Sequence, residues 1–446
     1  MPEIIALLNC IFPIIKPKEQ KQLQIIIEAL LSMRGRITML GLSRWSQKGG
    51  SYRTMIRFFH STLDWGTINW LFIKTHLTKN RASVYLLGGD EVVISKSGKK
   101  SYGLDRFYSS IQNQTIQSLA FLNLSLISVE SKKAYPLINK QIIKTNKKGC
   151  IKNKSSKKDK KPKSKSTRGR PKGSANKDKN DIVLPPYLLF VQNALKEVLL
   201  RINKHVDIAY FVYDGAFGNN QAMQMVRQSG LYLISKLQKN SALSFPYKGE
   251  YSGKGAPRQY GEDINYTKIS DDYLRETTTD EEKNIITKIY QMKMLHRKFA
   301  DALNVVIIQR INTKTNSMAH VTLFSSDLNL TYKKVIEYYS LRFQIEFVFR
   351  DAKQYWGMED FMNIKQTPIE NWANLSTFMV SFSHALRNNL EMKDMSVLDL
   401  KARYHGLKYV TEVFKLVPNL ANEYLIQKVF SKIANLGAIH PSQEAA

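Results

Sequence analysis

Three carboxylates in this chain stand where carboxylates do chemistry. Asp90 and Asp214 each close a short apolar run: Val84-Tyr85-Leu86-Leu87 leads through Gly88-Gly89 to Asp90, and Ile208 to Tyr213 leads directly to Asp214. Read as strands, these runs carry their acids to the rim of a sheet, where α/β folds collect their sites. Glu91 and Asp105 are rivals for the first position, and Asp207 for the second. The third acid, Glu346, lies in a segment with helical spacing from Thr331 to Tyr355. At 100° per residue, Tyr339, Arg342, Glu346 and Lys353 share one stripe about 60° wide. Leu341, Ile345, Val348, Ala352 and Trp356 form a separate apolar stripe that packs the helix down. Glu337 and Asp351 fall outside the polar stripe, so Glu346 is the acid that shares a face with basic partners.

Three acids converging on one point raise each other's pKa unless a counter-charge arrives. A divalent metal supplies it. The eight histidines are scattered without zinc spacing, and oxygen-only ligands favour Mg²⁺, or Mn²⁺ in its place. Two such ions clamp the attacking and leaving oxygens of a phosphoryl transfer. Arg342 and Lys353 are then placed to hold non-bridging phosphate oxygens.

The wider composition agrees with a phosphate-bearing substrate. Of 446 residues, 67 are Lys or Arg and 37 are Asp or Glu, a net charge of +30. Such an excess points to nucleic acid, through phosphate neutralisation and counterion release. Residues 140–179 alone hold 17 basic residues and two acids, a local +15. That stretch has almost no apolar residues after Ile151 and reads as a disordered basic insertion over 140–180. Two cysteines, Cys10 and Cys150, exclude a disulfide scaffold and fit a reducing compartment. The longest apolar stretch, Ile4 to Ile15, is interrupted by Asn9 and Pro13 and is too short to span a membrane. The chain contains neither a phosphate-binding P-loop nor a Gly-x-Ser-x-Gly elbow, so no nucleotide cofactor and no acyl hydrolysis are expected.

Strands alternating with helices predict an α/β core with a mixed sheet. Residues 1–78 read as a helical, DNA-binding N-terminal domain. Within it Ser51 caps a helix from Tyr52 to Leu63 that sets Arg53, Arg57 and His60 on one face, either a helix-turn-helix-like reader or a solvated basic face. Residues 79–239 hold the first part of the core, 240–328 a β-rich insertion, 329–392 the second part of the core, and 393–446 a helical C-terminal region suited to dimerisation.

Tyr339-x2-Arg342-x3-Glu346-x6-Lys353 resembles the YREK signature of bacterial insertion-sequence DDE transposases. The stretch after Asp90, with Ser97-Gly98-Lys99-Lys100 and Phe107-Tyr108, is similar to the surroundings of that family's first aspartate. Asp214-Gly215-Ala216-Phe217 looks like its second-aspartate turn. The likeness covers roughly residues 40 to 390. It implies an RNase H-like core interrupted by a β-rich insertion, with Asp90, Asp214 and Glu346 as the metal-binding triad and Tyr339, Arg342 and Lys353 on the phosphates of transposon-end DNA. It further implies metal-dependent strand cleavage and strand transfer at terminal inverted repeats, a homodimer pairing two double-stranded ends with target DNA, and a location in the bacterial cytoplasm at the nucleoid. A DNA-binding relative without activity and a nuclease that cuts without joining are the alternatives. Members that form hairpin ends stack a flipped base on an insertion tryptophan. This chain has no tryptophan between 214 and 346. Tyr247, Tyr251 or Tyr260 offers an aromatic face there, and the hairpin step stays open. Arg168-Gly169-Arg170-Pro171-Lys172 resembles an AT-hook, in which arginines enter a narrow minor groove; the plainer reading is a basic linker for any phosphate backbone.

If the basic strip touches DNA, deleting residues 152–179 lowers affinity and flattens the dependence of log K on log salt. Titrations of a DNA duplex at several salt concentrations measure the slope, and an unchanged slope excludes the contact.

Overall fold

The architecture is that of a computed structural model, which describes residues 2–46, 50–78, 83–110, 112–144, 178–251, 253, 256–392, 394–416, 428–430 and 433. Cys150 and the AT-hook-like Arg168, Arg170 and Lys172 lie outside the described residues. No helix among the described residues is long and apolar enough to cross a membrane.

Five helices open the chain: α1 (Pro2–Leu8), α2 (Pro17–Ser32), α3 (Met39–Ser46), α4 (Tyr52–Phe59) and α5 (Trp65–His76). Ser51 caps α4 as its hydroxyl accepts from Thr54 N. The helix ends at Phe59, short of the expected Leu63, where His60 N closes on Ile56 O. Arg53 and Arg57 are exposed, while Met55, Phe58 and Phe59 are buried beneath them.

The core sheet begins with β1 (Tyr85–Ser95), β2 (Asp105–Ser109), β3 (Gln114–Ser128) and β4 (Lys133–Ile142). β1 and β3 pair antiparallel over eleven registers, from Tyr85↔Ser128 to Ser95↔Ser118. After α6 (Pro186–Ile202), β5 (Tyr210–Val212) joins β1 in parallel, and after α7 (Asn220–Arg227), β6 (Tyr232–Lys236) joins β5 in parallel. Antiparallel strands on one side and parallel strands on the other form the mixed sheet of an RNase H-like core, with helices packed over it.

Six further strands follow: β7 (Leu243–Pro246), β8 (Tyr260–Asp263), β9 (Leu274–Asp280), β10 (Ile285–His296), β11 (Leu303–Asn312) and β12 (Met318–Ser325). They continue the core sheet rather than stand beside it. β12 pairs antiparallel with β6, and the order runs β2-β3-β1-β5-β6-β12-β11-β10-β7-β8.

The chain then returns as α8 (Tyr332–Leu341), α9 (Phe343–Trp356), α10 (Gln366–Asn389) and α11 (Val397–Leu416). α10 is buried along most of its length, from Pro368 to Leu386. It joins the N-terminal helices to the core. Asn371 accepts from Trp65 Nε1 at 2.8 Å, Trp372 stacks on Phe59 at 4.7 Å, and Asn374 accepts from Asn139 N in β4 at 3.0 Å.

Two sequence expectations need correction. Asp90 does not end its strand; β1 runs five residues further, to Ser95, because the long β3 keeps pairing with it. The segment from Thr331 to Tyr355 is not one helix. It breaks at Arg342, where Arg342 N bonds Tyr339 O at 3.2 Å and Ile345 N bonds Arg342 O at 3.0 Å. These i→i+3 bonds mark a 3₁₀-like tightening. The Arg342 dihedrals stay right-handed, φ −52° and ψ −36°, so the side-chain register across the break is largely preserved.

The turn after β5 depends on Gly218. A Cβ there would lie 2.1 Å from the carbonyl oxygen of Lys236, a backbone atom of a paired strand. Gly218→Ala is therefore expected to lower unfolding free energy by about 1–3 kcal/mol, read from urea denaturation. Gly215→Ala, whose Cβ would meet only ordinary contacts at 3.4 Å or more, is expected to cost less.

Candidate active site

Close packing brings the acids together. Gly88 in β1 leaves room for α9: a Cβ there would lie 2.8 Å from Ile345 Cδ1. Ile345 is fully buried against the strand, and its neighbours on α8 and α9 are thereby held above Asp90. Asp214 leaves the sheet at the carboxyl end of β5 and opens a short 3₁₀ turn, Gly215–Phe217. Ser235 Oγ pins that turn by donating to the Asp214 carbonyl at 2.9 Å. Glu346 lies in the first turn of α9, where the helix dipole favours an acid.

Arg342 connects two of these acids. Its Nη1 donates to Asp90 Oδ2 and its Nη2 to Glu346 Oε1, each at 2.7 Å. The Arg342 side chain is only 15 % exposed and that of Asp90 20 %, so water screens this pair weakly, whereas Glu346, at 41 %, leaves the second pair more open to solvent. Burial alone would lower the Arg342 pKa, but Asp90, Glu346 and Asp214 outweigh it and raise the value. Burial pushes the Asp90 carboxyl up to about 6, against the pull of Arg342 and of the Glu91 N–H; Asp214 and Glu346 add to the rise. Tyr339 is half-buried next to Arg342, and burial raises its hydroxyl pKa against the pull of that cation.

Asp90, Asp214, Arg342, Glu346 and Lys353 all line one open cleft of about 770 Å³. Lys353 Nζ donates to Val93 O at 3.1 Å and pairs with Glu359 at 2.8 Å, so it bridges α9 to β1. Arg53 and Arg57 lie on α4 and do not line this cleft.

The donor set suits a hard divalent cation in type: carboxylate oxygens facing a shared space, without thiolate or imidazole. Among the described residues, no group of three or more His, Cys, Asp or Glu side chains is drawn in closely enough to hold a metal ion as it stands. Arg342 lies between Asp90 and Glu346 and engages one oxygen of each.

Several residues around the cleft escaped the sequence reading. Glu91, weighed only as a rival of Asp90, also lines the cleft and accepts a hydrogen bond from the Tyr187 hydroxyl. Lys96 Nζ donates to Glu359 O at 3.0 Å and Phe361 O at 2.7 Å, tying the end of β1 to the chain beyond α9. Burial pulls the Lys96 pKa down to about 8, against Asp360 and Glu359. These partners are far apart in sequence and carry no local spacing signal.

A family model described as DDE superfamily endonuclease matches residues 10–298, well over half of the chain. The matched span includes Asp90 and Asp214 and ends before Glu346. A search of curated proteins found no match.

The raised Asp90 pKa has a signed consequence for stability. Its folded value of about 6 exceeds the ordinary 3.8, so folding favours the neutral carboxyl. The penalty for the charged form is absent below pH 4, grows between pH 4 and 6, and is complete above 6. In metal-free buffer, Asp90→Asn should therefore gain on the order of 2 kcal/mol over wild type at pH 7.5 relative to their difference at pH 4. Urea midpoints at both pH values test this, and a pH-independent difference excludes it.

Proposed function

The chain belongs to the DDE superfamily endonucleases, and from that premise we propose that it is the transposase of a bacterial insertion sequence. In this reading Asp90, Asp214 and Glu346 hold two Mg²⁺ ions, with Mn²⁺ as a substitute. The observation that carries it is Arg342, which lies 252 residues from Asp90 in sequence yet joins it to Glu346, in a cleft that Asp214 also lines. A chance surface ion pair has no reason to be so buried or to join acids from separate elements.

When bound, the ions supply polarisation of the attacking and leaving oxygens of a phosphodiester. The protein side chains do the rest. Arg342 neutralises Asp90 and Glu346 until substrate phosphates compete for its N–H groups, and a bidentate guanidinium suits phosphate as well as carboxylate. Lys353 and Tyr339 flank the same ridge and assist in gripping the end. A water then attacks the phosphodiester at the element end and the bond from phosphorus to the 3′ oxygen breaks; the freed 3′-hydroxyl attacks a second phosphodiester and displaces that strand's own 3′ oxygen, which leaves as a hydroxyl.

The remaining parts follow the same logic. Arg53 and Arg57, exposed on α4, suit contact with the terminal repeat, so residues 1–78 are assigned to DNA recognition. Arg168, Arg170 and Lys172 supply further phosphate or minor-groove contacts. Residues 79–239 and 329–392 form the catalytic core, 240–328 the insertion, and 393–446 a region for pairing two copies over two ends.

The test is a cleavage and strand-transfer assay on DNA carrying the element's own ends with Mg²⁺. Wild type should cut and join. Asp214→Asn and Glu346→Gln should each lower both steps by at least about 10²–10³-fold, the scale for losing one key charge-stabilising group. Undiminished cleavage by either variant overturns the triad. Cleavage by wild type without joining favours a nuclease.

A further inference from the structure

The backbone leaves one gap in the positioning of the site. β1 and β5 are tied by only two register pairs, Leu87↔Phe211 and Gly88↔Val212. Both precede the acids. Beyond them β1 continues to Asp90, the chain after Val212 turns away at Asp214, and no β1–β5 register pair reaches either acid. Tyr213 N still bonds Ile234 O and Ser235 holds the Asp214 carbonyl, but both contacts tie the turn to β6 and neither reaches β1.

Glu91 provides a contact from β1. Its neighbour Asp90 meets Arg342 between α8 and α9, whereas Glu91 meets α6, where the Tyr187 hydroxyl donates to Oε1. Adjacent strand residues point to opposite faces, so both contacts are possible at once. The Tyr187 oxygen lies 3.2 Å from the Tyr213 hydroxyl. With the Tyr187 proton directed at Glu91, Tyr213 is the donor of that second bond. Tyr213 is fully buried, and its ring lies flat on Phe217, 3.9 Å between centroids with 1° between planes. Tyr213 immediately precedes Asp214, and Phe217 ends the turn that Asp214 opens. Tyr187 also meets Phe217, at 6.0 Å. A line of contacts thus runs from the residue beside Asp90 to residues on both sides of Asp214.

We propose that Glu91 is a positioning residue for the reaction: through Tyr187 and Tyr213 it fixes the turn carrying Asp214 relative to the strand carrying Asp90. The proposal rests on the reading of those two aspartates as metal-holding acids. Contacts behind metal ligands characteristically tune metal affinity, because they hold the donors in place.

The experiment uses the full chain. Mn²⁺ binding to the metal-free protein is followed by electron paramagnetic resonance, and DNA-end cleavage is followed as a function of Mn²⁺. Glu91→Ala and the double variant Tyr187→Phe with Tyr213→Phe should each weaken Mn²⁺ binding about tenfold, the low end for groups behind a metal ligand. Cleavage should recover as Mn²⁺ is raised. Glu91→Gln, which keeps an acceptor oxygen for Tyr187, should retain most of the affinity. The double variant removes both hydroxyls while keeping both rings, so it leaves no buried donor unpaired if Glu91→Ala folds poorly. A lowered melting temperature with unchanged Mn²⁺ binding would make the line purely structural and overturn the proposal. Loss of cleavage at every Mn²⁺ concentration in Glu91→Ala would make Glu91 a ligand, also against it. Asp90→Asn serves as the reference: if it still cleaves, the underlying site assignment fails, and this proposal with it.

Discussion

One guanidinium sets the terms of this site. Arg342 places a single positive charge between two carboxylates that would otherwise repel each other in a partly buried space. Burial of charges costs free energy unless they are paired with good geometry, and both pairs here are short. Much of the local architecture serves that arrangement. Gly88 lets α9 approach β1, and Ile345 seats in the space it leaves. The backbone tightens at Arg342 where α8 passes into α9. Gly357, at φ +71°, ends α9 in a left-handed cap against Ile37 of the N-terminal region.

The division between what could and could not be read from the residues follows interaction range. The polar stripe Tyr339, Arg342, Glu346 and Lys353 was legible because helical spacing is local, and a one-residue break with right-handed dihedrals hardly disturbs it. Asp214 was legible because an apolar strand ended on it. The reading of Asp90 as a strand end is partly mistaken. The two glycines look like a strand end, yet β3 is long enough to carry β1 past them. In the sequence Glu91 is only a rival of Asp90, since its partner Tyr187 lies 96 residues away and no local spacing links the two. For Arg342, spacing shows the face it shares with Glu346, and only the packing of α9 on β1 brings it to Asp90.

The net charge of +30 acquires structure in the same way. Near the cleft the basic groups are already engaged: Arg342 with two acids, Lys353 with Glu359, Lys96 with two carbonyls. Arg53 and Arg57, by contrast, face solvent. Basic residues already paired within the protein and basic residues facing solvent are therefore different populations, a distinction that a sum over the chain hides.

The union of β6 with β12 has a mechanical side. The second set of strands joins the first through β12, which pairs with β6 over three register positions. A pull on the outlying β7–β8 edge passes strand to strand through hydrogen bonds and a close-packed interior, which transmits strain rather than absorbing it. It arrives at Lys236, whose carbonyl abuts Gly218 at the end of the Asp214 turn. An unbroken succession of paired strands thus leads from the outer edge to the turn that follows the second aspartate.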